Sequence, residues 1–277
     1  MLDPLLDLTA EIRARSPLGH PGVPQLLGCL GGYGLIRDDS GLHHRPFKQI
    51  DLPSGPWDLA PLIDHTLLKA EAMGAQVEAL CAEAVHYGFA SVCVNPLWVP
   101  LASGLLQGSR IRTCTVVGFP LGASALVAKA REAELALREG AQEIDMVLAI
   151  GAAKAGDWET IQRDFATLRL AVPAPTVLKV ILETCLLAEH EKIRVCELAL
   201  EAGLDFVKTS TGFSTGGATE ADVALLRRTV GTSLGVKASG GIRTYEGALA
   251  MVRAGATRLG LSASVAVVRG APGPAGY

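Results

Sequence analysis

Residues 176–211 read TVLKVILETCLLAEHEKIRVCELALEAGLDFVKTST, and this stretch holds one complete structural unit. TVLKVIL at 176–182 is a short apolar run rich in β-branched residues, the pattern of a buried strand. Ile193, Cys196 and Leu200, flanked by Leu198 and Ala199, then recur with the 3.6-residue period of an amphipathic helix. Gly203 in EAGLDF offers the left-handed cap that turns the chain back, and FVKTST at 206–211 reads as the next strand. Two strands joined by a helix of this length form a parallel pair.

The unit recurs in both directions. The strand-like runs are LIDHTLL (62–68), SVCVN (91–95), RTCTVVG (112–118), EIDMVL (143–148), TVLKVIL, FVKTST, GVKASG (235–240) and RLGLS (258–262), eight in all. Val77, Leu80, Cys81, Ala84 and Val85 mark a second helical face, and glycine follows helical stretches in HYGF, REGAQE and RAGATR. Eight such units predict an α/β fold, a (β/α)8 TIM barrel, with its active site at the C-terminal ends of the strands. A doubly wound open sheet uses the same units, but no GxGxxG follows an early strand.

The barrel is expected to span residues 59–269, leaving an N-terminal extension, 1–58, and a flexible C-terminal tail, 270–277. Within the extension a helix is predicted over Leu5–Arg15, and Pro17 to Pro56 is rich in Gly, Pro and His without clear periodicity. His43 and His44 alternate across an extended chain and lack nearby carboxylate or cysteine partners, so a solvated loop is expected there and no metal site.

Of the 277 residues, 49% are hydrophobic and 19% charged, a balance that demands a packed core. With 25 Lys+Arg against 28 Asp+Glu the net charge is −3, which argues against nucleic acid or an anionic membrane as partner. Any anion must be held locally. No apolar run approaches the ~20 residues that cross a bilayer. Asp3, Asp7 and Glu11 stand where a secretory signal would be basic and then apolar, so a cytoplasmic location is expected. Cys29, Cys81, Cys93, Cys114, Cys185 and Cys196 contain no CxxC and read as reduced core thiols.

Charge inside the strands is the functional signal. Lys179, Lys208 and Lys237 sit in runs that parallel strands normally fill with apolar residues. Burying an ammonium without a partner costs several kcal/mol, of order 3–5 when a buried pair is broken, so each needs a reason. An ion pair with a barrel carboxylate would account for one lysine; three on successive strands point to chemistry. Like charges and desolvation would depress the pKa of Lys179 or Lys208, giving the neutral amine that attacks a carbonyl to form a Schiff base. Asp145 in EIDMVL is the matching proton shuttle, and Asp64 is a second inward carboxylate, two residues before Thr66 on the same strand face. His65 then points outward and is expected to be packed and hydrogen-bonded. The last strands end in TSTGFSTGG, ASGGIRT and GLSAS, where backbone N–H groups make the usual phosphate cradle of a barrel. Thr209 is a supporting candidate; Gly212, Gly240, Gly241, Gly260, Ser262 and Ser264 are candidate phosphate contacts.

Taken together, IDHTLLKAEA, VCVNP, VVGFPLGAS, EIDMVLAIGAAKAGDW, LKVILET, FVKTSTGF and KASGGIRT resemble, in order, the motifs of the deoxyribose-phosphate aldolases, over about residues 60–268. The resemblance implies a class I aldolase that reversibly cleaves 2-deoxy-D-ribose 5-phosphate to D-glyceraldehyde 3-phosphate and acetaldehyde without metal or organic cofactor. It implies Lys179 as Schiff-base residue, Lys208 as the group that lowers its pKa, Asp145 as proton relay through water, Lys237 in a supporting electrostatic role, and a homodimer or higher homo-oligomer. Some members end in a tyrosine that reaches the active site, and Tyr277 looks similar. Ala149 stands where asparagine is common in the family. A lysine aldolase acting on a ketose phosphate and a silent barrel that binds a sugar phosphate are the other readings; a binding protein would not need a neutral amine in its interior.

Overall fold

The computed structural model describes residues 52–271, together with the backbone of three N-terminal strands. Those strands, β1 (Gln25–Leu30), β2 (Tyr33–Asp38) and β3 (Gly41–Pro46), pair antiparallel in the order β1-β2-β3. This corrects the expectation of an irregular stretch between Pro17 and Pro56. The overlooked signal is Gly31-Gly32, a two-residue dipeptide of the kind that closes hairpins. The helix expected at Leu5–Arg15, the side chains of Cys29, His43 and His44, and Tyr277 lie outside the described residues.

The remaining strands are β4 (Ile63–Leu67), β5 (Ser91–Val94), β6 (Arg112–Val117), β7 (Glu143–Val147), β8 (Val177–Ile181), β9 (Phe206–Lys208), β10 (Gly235–Ser239) and β11 (Arg258–Leu261). Each pairs in parallel with its neighbour, and β11 closes on β4 with Gly260 opposite Asp64. All eight expected strands are present and form a closed barrel. Around it lie α1 (Gly74–Tyr87), α2 (Val99–Leu105), α3 (Leu126–Arg138), α4 (Ile150–Ala155), α5 (Trp158–Ala171), α6 (Glu189–Glu201), α7 (Glu220–Val230), α8 (Tyr245–Arg253) and α9 (Ser264–Val268).

Two of the later helices, α7 and α8, start on threonine caps. Thr219 accepts from the Asp222 N–H at 3.1 Å and Thr244 from the Gly247 N–H at 3.1 Å, each satisfying a donor that the first turn leaves free. The helices cover the outward strand residues, so Val92, Val94, Ile144, Met146, Leu178 and Val180 are all buried. On α1, Val77, Leu80, Cys81 and Ala84 face the core, whereas Val85 is 51% exposed because it falls at the edge of that stripe. The described cysteines are free thiols; Cys81, Cys93, Cys114 and Cys196 are buried, and Cys185 is exposed. Among the described residues no helix is long and apolar enough to cross a membrane.

Candidate active site

Period-two alternation sends Asp64, Cys114, Glu143, Asp145, Lys179, Lys208 and Lys237 into the barrel, where each is at most 3% exposed. Register aligns them: Asp145 lies opposite Lys179, and Lys208 opposite Lys237. Asp145 is the hub. Its Oδ1 accepts from Lys179 Nζ at 2.9 Å and Cys114 Sγ at 3.3 Å, and its Oδ2 accepts from Lys208 at 2.8 Å and Lys237 at 2.7 Å. Burial alone would raise the Asp145 pKa, but the three ammonium groups outweigh it and hold the carboxyl well below the usual range.

Beneath this hub, towards the strand N-termini, lies a second layer of ions. Lys179 Nζ also contacts Glu143 Oε2 at 2.5 Å, and Lys237 pairs with Asp64. Arg258 donates to Asp64 Oδ1 at 2.6 Å and reaches Glu143 at 3.4 Å. The Phe206 ring floors the site, its centroid 5.9 Å from Lys179 Nζ and 5.6 Å from the Arg258 guanidinium carbon. A Cβ at Gly235 would lie 2.0 Å from that ring, which explains the glycine in GVKASG.

The electrostatics correct the expected neutral amine. Burial pulls the Lys179 pKa down, yet Asp145, followed by Cys114 and Glu143, raises it well above the ordinary lysine value. At rest Lys179 is a cation. Lys237 is likewise raised, because Asp145 and Asp64 outweigh its desolvation. Apart from the half-exposed Arg112 at the edge of Glu143, the cluster sets Lys179, Lys208, Lys237 and Arg258 against Asp64, Glu143 and Asp145, so four cations oppose three carboxylates inside the barrel and one positive charge is in excess.

Above the hub a cavity opens at the C-terminal ends of β4, β9, β10 and β11. Lys208 and Thr66 line it, with Thr211, Gly212, Ser239, Gly240, Gly241, Arg243, Gly260 and Ser262 around its rim. Gly240 adopts φ +88° and its carbonyl accepts from the Ala218 N–H at 3.0 Å. A Cβ on neighbouring Gly217 would come within 2.3 Å of that carbonyl oxygen, so the two loops meet closely only as glycines. Gly260 leaves room for Lys237, whose Cε would lie 3.0 Å from a Cβ there.

A family model described as DeoC/LacD family aldolase matches residues 59–269. The chain belongs to this family. A protein named deoxyribose-phosphate aldolase from Lysinibacillus sphaericus (strain C3-41) is 56% identical over 213 residues, 77% of this chain and 96% of that one. Another of that name, from Geobacillus sp. (strain WCH70), is 53% identical over 220 residues, 79% and 99% of the two chains. Among solved structures, the deoxyribose phosphate aldolase from Aeropyrum pernix, described as tetrameric, superposes with a TM-score of 0.74 at 36% identity, covering 79% of this chain and 92% of that one.

Within this DeoC/LacD aldolase, the structure brings Asp145, Lys179, Lys208, Lys237 and Asp64 into one cluster, and Gly212, Gly240, Gly241, Gly260 and Ser262 around one cavity. Ser264 does not join them: it is buried at the start of α9 and bonds His65 Nδ1 at 2.9 Å. His65 also bonds Glu83 at 2.8 Å and is packed in the layer outside the barrel, as expected. Thr209 ties β9 to β10 through the Ser239 backbone, accepting its N–H at 3.1 Å. Sequence reading missed Glu143, Arg258 and Glu183. Glu143 and Arg258 each lie two residues before a proposed site residue, Asp145 and Gly260, and strand alternation alone places them on the same inward face.

Proposed function

We propose that the chain is a class I aldolase that reversibly cleaves 2-deoxy-D-ribose 5-phosphate to D-glyceraldehyde 3-phosphate and acetaldehyde, with Lys179 as the Schiff-base residue. The observation that carries this reading is one buried carboxylate, Asp145, joined to Lys179 on one oxygen and to Lys208 and Lys237 on the other, below a glycine-rimmed cavity.

Lys179 must first lose a proton and turn from Glu143 towards the cavity. The neighbouring carboxylates hold that proton, and the excess positive charge of the cluster works against them, because deprotonation leaves three cations facing three carboxylates with no net charge to bury. The free amine adds to the C1 carbonyl, water departs, and an iminium forms on Nζ. A base removes the proton from the C3 hydroxyl, the C2–C3 bond breaks, and its electron pair flows into the iminium to give an enamine, releasing glyceraldehyde 3-phosphate. Protonation at C2 and addition of water then return acetaldehyde and the free lysine. Asp145, through a water, relays these protons, and Lys208 and Lys237 keep it ionised. Backbone N–H groups at Gly212, Gly240 and Gly241 with the Ser262 hydroxyl hold the phosphate. The scheme calls for neither metal nor organic cofactor.

A second reading makes Lys208 the nucleophile, favoured by the fact that Lys208 lines the cavity while Lys179 is fully buried below it. Borohydride reduction in the presence of substrate decides between them. The expected result is a mass increase on the Lys179 peptide, with acetaldehyde released in unreduced controls. Labelling of Lys208 alone overturns the assignment, and an active enzyme with no trapped adduct overturns the Schiff base. Homo-oligomeric assembly is part of the same proposal, supported by the tetrameric relative and checked by sedimentation.

A further inference from the structure

We infer that Glu183 is a positioning residue that fixes the phosphate-binding loop and thereby sets the preference for phosphorylated over unphosphorylated substrate. This rests on the proposed function and assigns it a residue outside the Asp145 cluster. Glu183 follows β8, the strand that carries Lys179, in LKVILET. It is the one non-glycine with positive φ among the described residues, at φ 57° and ψ 63°. Such a conformation is disfavoured for a residue with a side chain and suits glycine. A glycine there would carry no carboxylate, and the carboxylate has specific partners.

It is buried, and its oxygens accept from the Thr211 N–H at 3.3 Å and from the Thr211 hydroxyl. That hydroxyl in turn accepts from the Phe213 N–H at 3.0 Å, so one side chain fixes residues 211–213. The backbone adds a parallel tie, with the Thr184 N–H donating to the Thr209 carbonyl at 2.9 Å. Thr211 and Gly212 line the phosphate end of the cavity. Glu183 therefore links the end of the Lys179 strand to the loop that follows the Lys208 strand. Its own contacts are with loop donors and not with the catalytic ammonium groups, so losing it should disturb phosphate capture and spare the carbonyl chemistry.

The test compares 2-deoxyribose 5-phosphate with 2-deoxyribose in the full-length wild type, Glu183→Ala and Glu183→Gln, with thermal unfolding measured alongside. For Glu183→Ala the KM for the phosphate ester should rise about tenfold with kcat little changed, while kcat/KM for 2-deoxyribose stays within about threefold. Glu183→Gln, which keeps an acceptor oxygen, should recover most of the loss. Thr211→Val, which removes the hydroxyl from the other side of the contact, should lower the same preference ratio, and it serves if Glu183→Ala fails to fold. Equal losses on both substrates in these variants would overturn the inference and leave the aldolase reading standing. A wild type with no preference for the phosphate ester would overturn the phosphate site itself, and this inference with it.

Discussion

Glu143 and Lys179 form an ion pair 2.5 Å long in which neither side chain is reached by solvent. After Asp145 and Cys114, the pair is a further reason why the proposed nucleophile rests as a cation, and it makes the proton on Lys179 a quantity that single substitutions can move in either direction. Glu143 also faces Arg258 at 3.4 Å and, at the half-exposed edge, Arg112 at 3.7 Å.

Glu143→Gln removes one of the carboxylates that raise the Lys179 pKa. The rising limb of kcat/KM against pH should therefore move to lower pH, by about one unit for a lost contact of this kind. Stability should fall at the same time, because the variant leaves buried cations less compensated; breaking a buried pair costs about 3–5 kcal/mol. A pH–rate profile and urea unfolding measure the two effects. An unmoved limb would show that this pair does not govern the nucleophile.

Asp145→Asn should lower kcat/KM by about 10²–10⁴, the usual worth of a positioned proton-transfer group. It also has a pH signature. The folded-state pKa of Asp145 lies below its ordinary 3.8, so its ionisation stabilises the fold above about that pH and the contribution is lost as pH falls through the lowered value. The stability gap between wild type and variant should be widest near neutrality and shrink below pH ~4. A gap that is constant down to pH ~3 would contradict the depressed pKa.

The barrel was legible because short, mostly apolar β-branched runs alternate with helices that keep one period, as in Val177–Ile181, interrupted only by Lys179, followed by Val195, Cys196 and Ala199. The catalytic cluster was legible for a different reason: charge in the middle of a buried strand has few structural explanations. Its charge state was not. The strand pattern sets Lys179 beside Lys208, but Glu143 stands at the first position of its strand, where charge is often solvated, and only the closed barrel shows it fully enclosed. Arg258, the first residue of β11, is hidden from the sequence in the same way. Ser264 misled because its run, GLSAS, gives no sign that α9 begins there and turns the hydroxyl towards His65.

His65 tests the boundary between chemistry and support. It lies outside the barrel interior, bonded to Ser264 and Glu83, with its ring 5.0 Å from that of Phe89. His65→Ala should cost about 1–3 kcal/mol, since it removes a buried ring and its hydrogen bond to Ser264, whose hydroxyl keeps only the Leu261 carbonyl at 3.0 Å, and should leave kcat/KM within about threefold of wild type at 25 °C. Denaturant unfolding and steady-state assays check this. A large loss of turnover in a stably folded variant would place His65 in the mechanism.

Lys237→Met should shift the pH profile opposite to Glu143→Gln. Lys237 is fully buried, 2.7 Å from Asp145 and paired with Asp64, and it supplies the fourth cation of the cluster. Without it three cations face three carboxylates, the excess positive charge disappears, and Lys179 has less reason to release its proton. The rising limb should move to higher pH by about one to two units, which near neutrality lowers kcat/KM about 10- to 100-fold. Borohydride trapping at alkaline pH should still label Lys179, because the nucleophile remains and only its ionisation has moved. Loss of trapping at every pH would make Lys237 a participant in Schiff-base formation, and a limb that moves to lower pH would refute the charge balance from which both substitutions are argued.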